Sequence, residues 1–274
     1  MFAHQVIESI KKYPQAVISL TLQNALIASI RKAQHFHFGS SLEIGEAFKN
    51  MWGKGIPSEN LYLLKLPYNR CWFDYCGQYP DGTTLKRGFL LEQDDASKII
   101  IYTFLTDSDF WRIDFLAHRL GAPAADGVWL ENMGLYEAPG ADAACRSRNT
   151  RNNLSVLYFS MMLLNCKNIG RETVSAPAKL NKKRRRNGNQ ELFDYYVLNI
   201  AIPSKKQEYR EGAIPLSHNR VHFCRGHFKE YTAEHPLFGR YTGLYWWQAH
   251  VRGQNKDGIV IKDYEVSIKR RGRE

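Results

Sequence analysis

Apolar positions in the first fifty residues recur at intervals of three and four. Val17, Ile18, Leu22, Leu26, Ile27 and Ile30 fall along one stripe of an α-helix, so residues 1–53 read as helical. Pro14 suits a helix start after a break at Tyr13 because its fixed φ and missing N–H are tolerated in a first turn. Ser40-Ser41-Leu42-Glu43 opens a further short helix that ends near Trp52-Gly53. These helices are expected to be packing elements.

The period then changes. Arg70–Cys76, Gly88–Glu92, Ile99–Leu105, Phe110–Phe115 and Val128–Glu131 are short runs rich in aromatic and β-branched residues. Turn-forming groups separate them: Pro80-Asp81-Gly82, Asp94-Asp95, Asp107-Ser108-Asp109 and the stretch from Gly121 to Gly127. That spacing predicts an antiparallel meander with one face against the flanking helices. A long helix follows over Arg148–Asn168, with Leu154, Leu157, Tyr158, Met161, Met162 and Leu164 on its apolar side. Lys179 to Gly188, polar and strongly basic, reads as an exposed loop. Leu192–Ile202 reads as a strand, and a connection to about Asn219 leads to two further strands around His222–Lys229 and Tyr245–Gly253. Val260–Ile268 is a last strand before a basic tail. No internal repeat is present. The pattern predicts an α+β fold: N-terminal helices, a central antiparallel sheet, a long helix and a basic β-rich C-terminal part. A soft boundary near residue 170 would divide a helical and antiparallel-sheet domain, 1–170, from a basic region, 171–274. Both parts form one domain if Leu192–Ile202 joins the central sheet.

Charge sharpens this division. Residues 171–274 carry 21 Lys and Arg against 11 Asp and Glu, whereas residues 1–170 carry 17 against 16. Nearly all of the net +11 therefore lies in the last two-fifths of the chain. A hydrophobic content of 44% with 13% aromatics excludes a disordered chain. A sequence pI near 9.4 favours polyanionic partners: nucleic acid first, an acidic protein surface second, anionic lipid third. No basic amphipathic helix with a Trp/Leu face supports the lipid reading. The longest apolar helical stretch, Leu154 to Leu164, is too short to cross a bilayer and contains Ser155 and Ser160. The N-terminus lacks the pattern of a signal peptide. Cysteines 71, 76, 145, 166 and 224 have no framework spacing and read as reduced thiols, so a cytoplasmic protein is expected.

The chemistry-bearing residues concentrate in the same basic third. Lys182, Lys183, Arg184, Arg185 and Arg186 repel one another and must stay solvated or meet an anion. Two later segments carry His222, Arg225, His227 and Lys229, then Tyr245, Trp247, His250 and Arg252. Cations neutralise phosphate, and aromatic faces stack on unpaired bases. Strand alternation puts Arg225, His227 and Lys229 on one face, provided Gly226 makes no bulge, and 246, 248, 250 and 252 on one face of the second segment. Coincidence of those faces would gather Arg225, His227, Lys229, His250 and Arg252, with Trp246 among them. A binding surface for RNA needs only these groups. Cleavage would need His227 and His250 as general base and general acid on a ribose 2′-hydroxyl and a leaving oxygen. Backbone hydrogen bonding within a sheet is the structural alternative for His222 and His227.

His222, Cys224 and His227, with Cys71 and Cys76, resemble a ligand string, but the spacing fits no common zinc pattern and strand alternation divides it. Asp74, Glu92, Asp94, Asp95, Asp107, Asp109 and Asp114 flank the central strands, as carboxylates of a two-metal nuclease would. Asp94/Asp95 and Asp107/Asp109 read more simply as turn residues. With neither a phosphate-cradling glycine loop nor a nucleophile elbow, no metal or cofactor is expected.

Four segments, in order, carry a family resemblance. They are Leu66-Pro67 followed by Cys71-Trp72-Phe73-Asp74; Leu163-Leu164-Asn165-Cys166-Lys167-Asn168; Lys179-Leu180-Asn181-Lys182-Lys183 leading into Phe193-Asp194-Tyr195; and His222 with Arg225-Gly226-His227-Phe228, then Trp247-Gln248. The chain resembles the phage and mobile-element proteins related to the type V-A anti-CRISPR that silences its target nuclease by promoting loss of the nuclease's messenger during translation. The resemblance spans roughly residues 60–260, and the Arg225-Gly226-His227-aromatic block is its most specific part. It implies an accessory protein of a phage, plasmid or integrated element acting in the bacterial cytoplasm. The implied partners are RNA, or ribosome-associated mRNA with its nascent polypeptide, and a host defence protein. It does not carry over the target.

Overall fold

The computed structural model describes residues 1–13, 18–40, 64–78, 84–94, 98–106, 111–124, 127–134, 143–200, 222–224, 226–247 and 250–252. Two helices open the chain, α1 (Ala3–Lys12) and α2 (Leu20–Lys32). Ser19 caps α2 by accepting a hydrogen bond from the Leu22 N–H at 3.2 Å. The helical reading fails over the next segment: Gln34–Ser40 is strand β1. Phe36 and Phe38 alternate there with His35 and His37, so the two-residue period replaces the helical one. The expected helix after Ser40 lies outside the described residues, as do strand Val260–Ile268 and the basic tail.

The meander follows as β2 (Arg70–Gln78), β3 (Thr84–Gln93), β4 (Ile99–Thr106), β5 (Arg112–Ala124) and β6 (Gly127–Gly134), each antiparallel to the next. Helix α3 spans Ala143–Leu164, starting earlier than the periodicity suggests. Strand β7 (Ile169–Val174) then pairs antiparallel with β8 (Tyr195–Ile200). β8 lies parallel to β1, and β1 parallel to β2. The result is one mixed sheet of eight strands in the order β6-β5-β4-β3-β2-β1-β8-β7. The fold is α+β, and two strands beyond residue 168 belong to its large sheet.

Alternation along the central strands supplies a core on each side. Trp72, Leu90, Phe104 and Ile113 pack with Val6, Ile7, Leu26 and Ile30 of α1 and α2. Phe36, Phe73, Phe89 and Ile101 pack with Leu157 and Met161 of α3. The sheet is thus buried on both faces, which explains why β2 reads as a nearly continuous apolar run. Gly88 is required by this packing: a Cβ there would stand 2.3 Å from the Trp72 ring.

The second surprise is the basic run. Ala178–Arg186 is a helix, α4, between β7 and β8. Its residues other than Asn181 are good helix formers, and Asn187-Gly188 closes it. Gly188 has φ +72, its N–H donates to the Arg185 carbonyl, and the Asn189 N–H donates to that of Arg184. This is a Schellman ending, for which glycine is the favoured residue.

Candidate nucleic-acid interface

The last described strands form two short antiparallel ladders. β10 (His227–Tyr231) pairs with β11 (Gly243–Trp247), and β9 (His222–Cys224) with β12 (His250–Arg252). Both ladders keep the same register. In the β10–β11 ribbon His227 stands opposite Trp247, Phe228 opposite Trp246 and Lys229 opposite Tyr245. Cross-strand partners share a face, so one face carries His227, Lys229, Tyr231, Tyr245 and Trp247. The other carries Phe228, Leu244 and Trp246, which pack on Phe159, Met162 and Cys166 at the end of α3. The rings of Phe159 and Trp246 meet edge to face at 5.3 Å.

The expected placement of Trp246 beside His227 is therefore overturned. Trp246 is the buried anchor, and Trp247 shares the face of His227 and Lys229. The expected convergence of His250 and Arg252 on that patch also has no support in the pairing: His250 stands opposite Cys224 and Arg252 opposite His222, in the separate β9–β12 ladder. For His222, His250 and Arg252 only this backbone pairing is described, and Arg225 lies outside the described residues.

On the outward face His227 and Lys229 are exposed, while Tyr231 and Trp247 are half-buried. The Lys229 ammonium lies 4.9 Å above the Tyr231 ring, and Tyr231 meets Tyr245 edge to face at 5.6 Å. Burial, with Tyr241 and Tyr231 nearby, raises the Tyr245 phenol above its ordinary pKa. The Trp247 indole N–H is buried without an acceptor among the described residues. Aromatic planes and an ammonium group on one face suit stacked bases and phosphate.

Asn168, which periodicity gives no means of singling out, holds this ribbon in place. Its side chain acts as a short strand: Nδ2 donates to the Trp246 carbonyl at 2.7 Å, and Oδ1 accepts from the Trp246 N–H at 2.8 Å. The Lys167 N–H donates to the Leu244 carbonyl at 2.7 Å. Gly243, at φ +108, lets the chain pass Lys167, whose Cγ would lie 3.0 Å from an added Cβ.

The cations of α4 divide into two groups. Arg184 donates to Glu8 Oε1 at 2.6 Å and to the Gln190 carbonyl at 2.7 Å. Arg185 forms a two-pronged pair with Glu191 at 2.7 and 2.8 Å. Asn181 clamps Leu192 through both ends of its amide. Lys179, Lys182, Lys183 and Arg186 instead border a shallow hollow with Asn187. All four are exposed, and none has an acidic partner among the described residues.

A further polar cluster centres on Asp74, which the sequence offers only as one of several acids flanking the central strands. Asp74 is fully buried and accepts hydrogen bonds from the Phe2 N–H at 2.7 Å and the Trp72 indole at 3.1 Å. Its other oxygen meets His37 Nδ1 at 2.5 Å. The carboxylate thereby ties the N-terminus to β1 and β2. His4 and His35 lie in the same layer with pKa values lowered to about 4. Burial is the leading cause for both; Arg184 and the N-terminus add to it at His4, and Asp74 opposes it at each. Other acids that flank the strands serve locally. Glu92 accepts from Ser29 and Arg70, and Asp94 from the Lys98 N–H. Cys71, Cys76 and Cys166 are free thiols, and burial pushes Cys71 and Cys166 up to about 12. No three metal-ligating side chains gather among the described residues, and no described helix is long and apolar enough to cross a membrane.

Comparisons with protein-family models, curated proteins and solved structures returned no match.

Proposed function

We propose that this is an accessory protein of a phage or mobile element, anti-CRISPR-like, that binds RNA or a nascent-chain/mRNA assembly and so lowers expression of a host defence gene. The observation that carries the binding half is the ribbon face on which His227 and Lys229 accompany Tyr231 and Trp247. An exposed ammonium and imidazole beside aromatic planes suit an unpaired strand, while the opposite face of the same ribbon is consumed by packing on α3. The excess of positive charge after residue 170 supports the same reading. The biological half rests on the sequence resemblance. RNA, free or on the ribosome, is the ligand class.

Binding of labelled single-stranded RNA in chelator, over a salt series, tests the reading. Affinity is expected to fall linearly on a log–log plot, because added salt opposes counterion release. Combined His227→Gln and Lys229→Gln substitution is expected to weaken it about tenfold or more, as for charge-assisted hydrogen bonds of roughly 1.5–3 kcal/mol. Intact RNA recovered after incubation would rule out intrinsic cleavage by His227 and His250. No affinity, or affinity indifferent to salt, would leave direct docking on an acidic protein as the better account.

A further inference from the structure

The six cations of α4 look equivalent in the sequence, but the fold sorts them. Arg184 and Arg185 are engaged with Glu8, Gln190 and Glu191. The remaining four, Lys179, Lys182, Lys183 and Arg186, stand at positions i, i+3, i+4 and i+7, which is one stripe of a helix. The helix dipole favours Lys183 and Arg186 in the last turn of α4, but it does not explain the stripe as a whole. Lys179 lies in the first turn, where the helix dipole disfavours a cation and where α4 has no acid. Each member also has like charges three or four residues away, which is mildly unfavourable in a helix. A row of exposed, mutually repelling cations stays solvated or meets a row of anions, and four cations on one stripe offer the second. The stripe runs about 10 Å along the helix at 1.5 Å per residue, long enough to follow successive phosphates.

Its location matters equally. α4 is fastened to α1 through Arg184 and Glu8, and the segment after it to α1 and α2 through Gln190, Glu8 and Arg31. The ribbon is fastened to α3, across the sheet. We infer that Lys179, Lys182, Lys183 and Arg186 form a second, separate phosphate-binding ridge for nucleic acid, on the opposite side of the sheet from the ribbon, and that Arg184 and Arg185 are positioning residues for it. The inference rests on the nucleic-acid reading but not on the ribbon as its site. The ridge carries no aromatic plane, so it reads the sugar-phosphate backbone and not bases.

The test uses the full chain and a labelled oligouridylate. The variant K179Q/K182Q/K183Q/R186Q keeps helix formers in α4 and should melt as the parent does. Its plot of log affinity against log salt should be shallower by about 0.7 for each phosphate that the variant no longer neutralises. The His227→Gln/Lys229→Gln ribbon variant should lose affinity while retaining the α4 contribution to the slope. Acetylation footprinting of the unsubstituted protein gives an independent reading: RNA should protect Lys179, Lys182 and Lys183. An unchanged slope with unprotected lysines would overturn the ridge and leave the ribbon reading standing. A shallower slope in the α4 variant with an unaffected ribbon variant would keep the ridge and remove the ribbon. A parent that binds no oligonucleotide would overturn both.

Discussion

Buried histidines make the stability of this protein a function of acidity. His4 and His35 are expected to be neutral in the fold, because both pKa values are lowered from 6.5 to about 4. The unfolded chain binds protons at these sites from about pH 6.5 downwards, so the stabilising difference is complete above that value and is lost as the pH falls through about 4. At 1.36 kcal/mol per unit, each histidine accounts for roughly 3 kcal/mol at most. Urea midpoints measured between pH 7 and 4 should fall, and His35→Phe, which can retain the 4.3 Å stack on Phe193, should flatten the decline. A midpoint independent of pH in the parent would contradict this. At Asn168 the expected effect is different in kind. Asn168→Ala leaves the buried Trp246 N–H and carbonyl without their partners, which should cost about 1–3 kcal/mol and be read in denaturant melts. The same variant should loosen the ribbon and weaken RNA binding.

At the scale of elements, the strands of the meander are legible because each is short, aromatic-rich and bounded by turn residues. Their pairing in the sheet adds length that the pattern does not mark, as in β5, which runs to Ala124. β1 is hidden because seven residues offer few periods, and the helical stripe of α2 runs on into it without a break in composition. α4 is hidden for another reason: five consecutive cations suggest a solvated loop, and that signal masks good helix propensity and the Asn187-Gly188 ending. The acids that offset the charge of α4, Glu8 and Glu191, lie outside the run and one of them far away in sequence. Glu8→Ala should therefore destabilise the α1–α4 junction, where it removes acceptors from Arg184 and Gln190, by about 1–3 kcal/mol. Hydrogen exchange should show the loss concentrated in α4. At the ribbon, the pairing of two strands is legible in the residues but its register is not, and the register puts Trp247, not Trp246, on the outward face.

For the whole molecule, the segregation of charge acquires a geometry. Among the described residues after position 170, the cations of α4 and the ribbon are held apart: α4 is tied to α1, whereas the ribbon packs on α3. The α4 ridge and the ribbon face are then the two surfaces proposed for RNA, on opposite sides of the core. On the proposed reading, long or folded RNA would engage both, while a short strand would meet one at a time. Affinity should therefore rise with RNA length beyond what added non-specific sites provide, an effect that effective concentration makes large when both surfaces are spanned. The measurement that bears most directly on the account is ultraviolet crosslinking of the intact protein to RNA in its host, with the adducts mapped by mass spectrometry and the RNA sequenced. Adducts on β10 and β11 around Tyr231 and Trp247, joined to messenger RNA, are the predicted result. Recovery of no RNA, or of adducts only on elements remote from the ribbon, would contradict it.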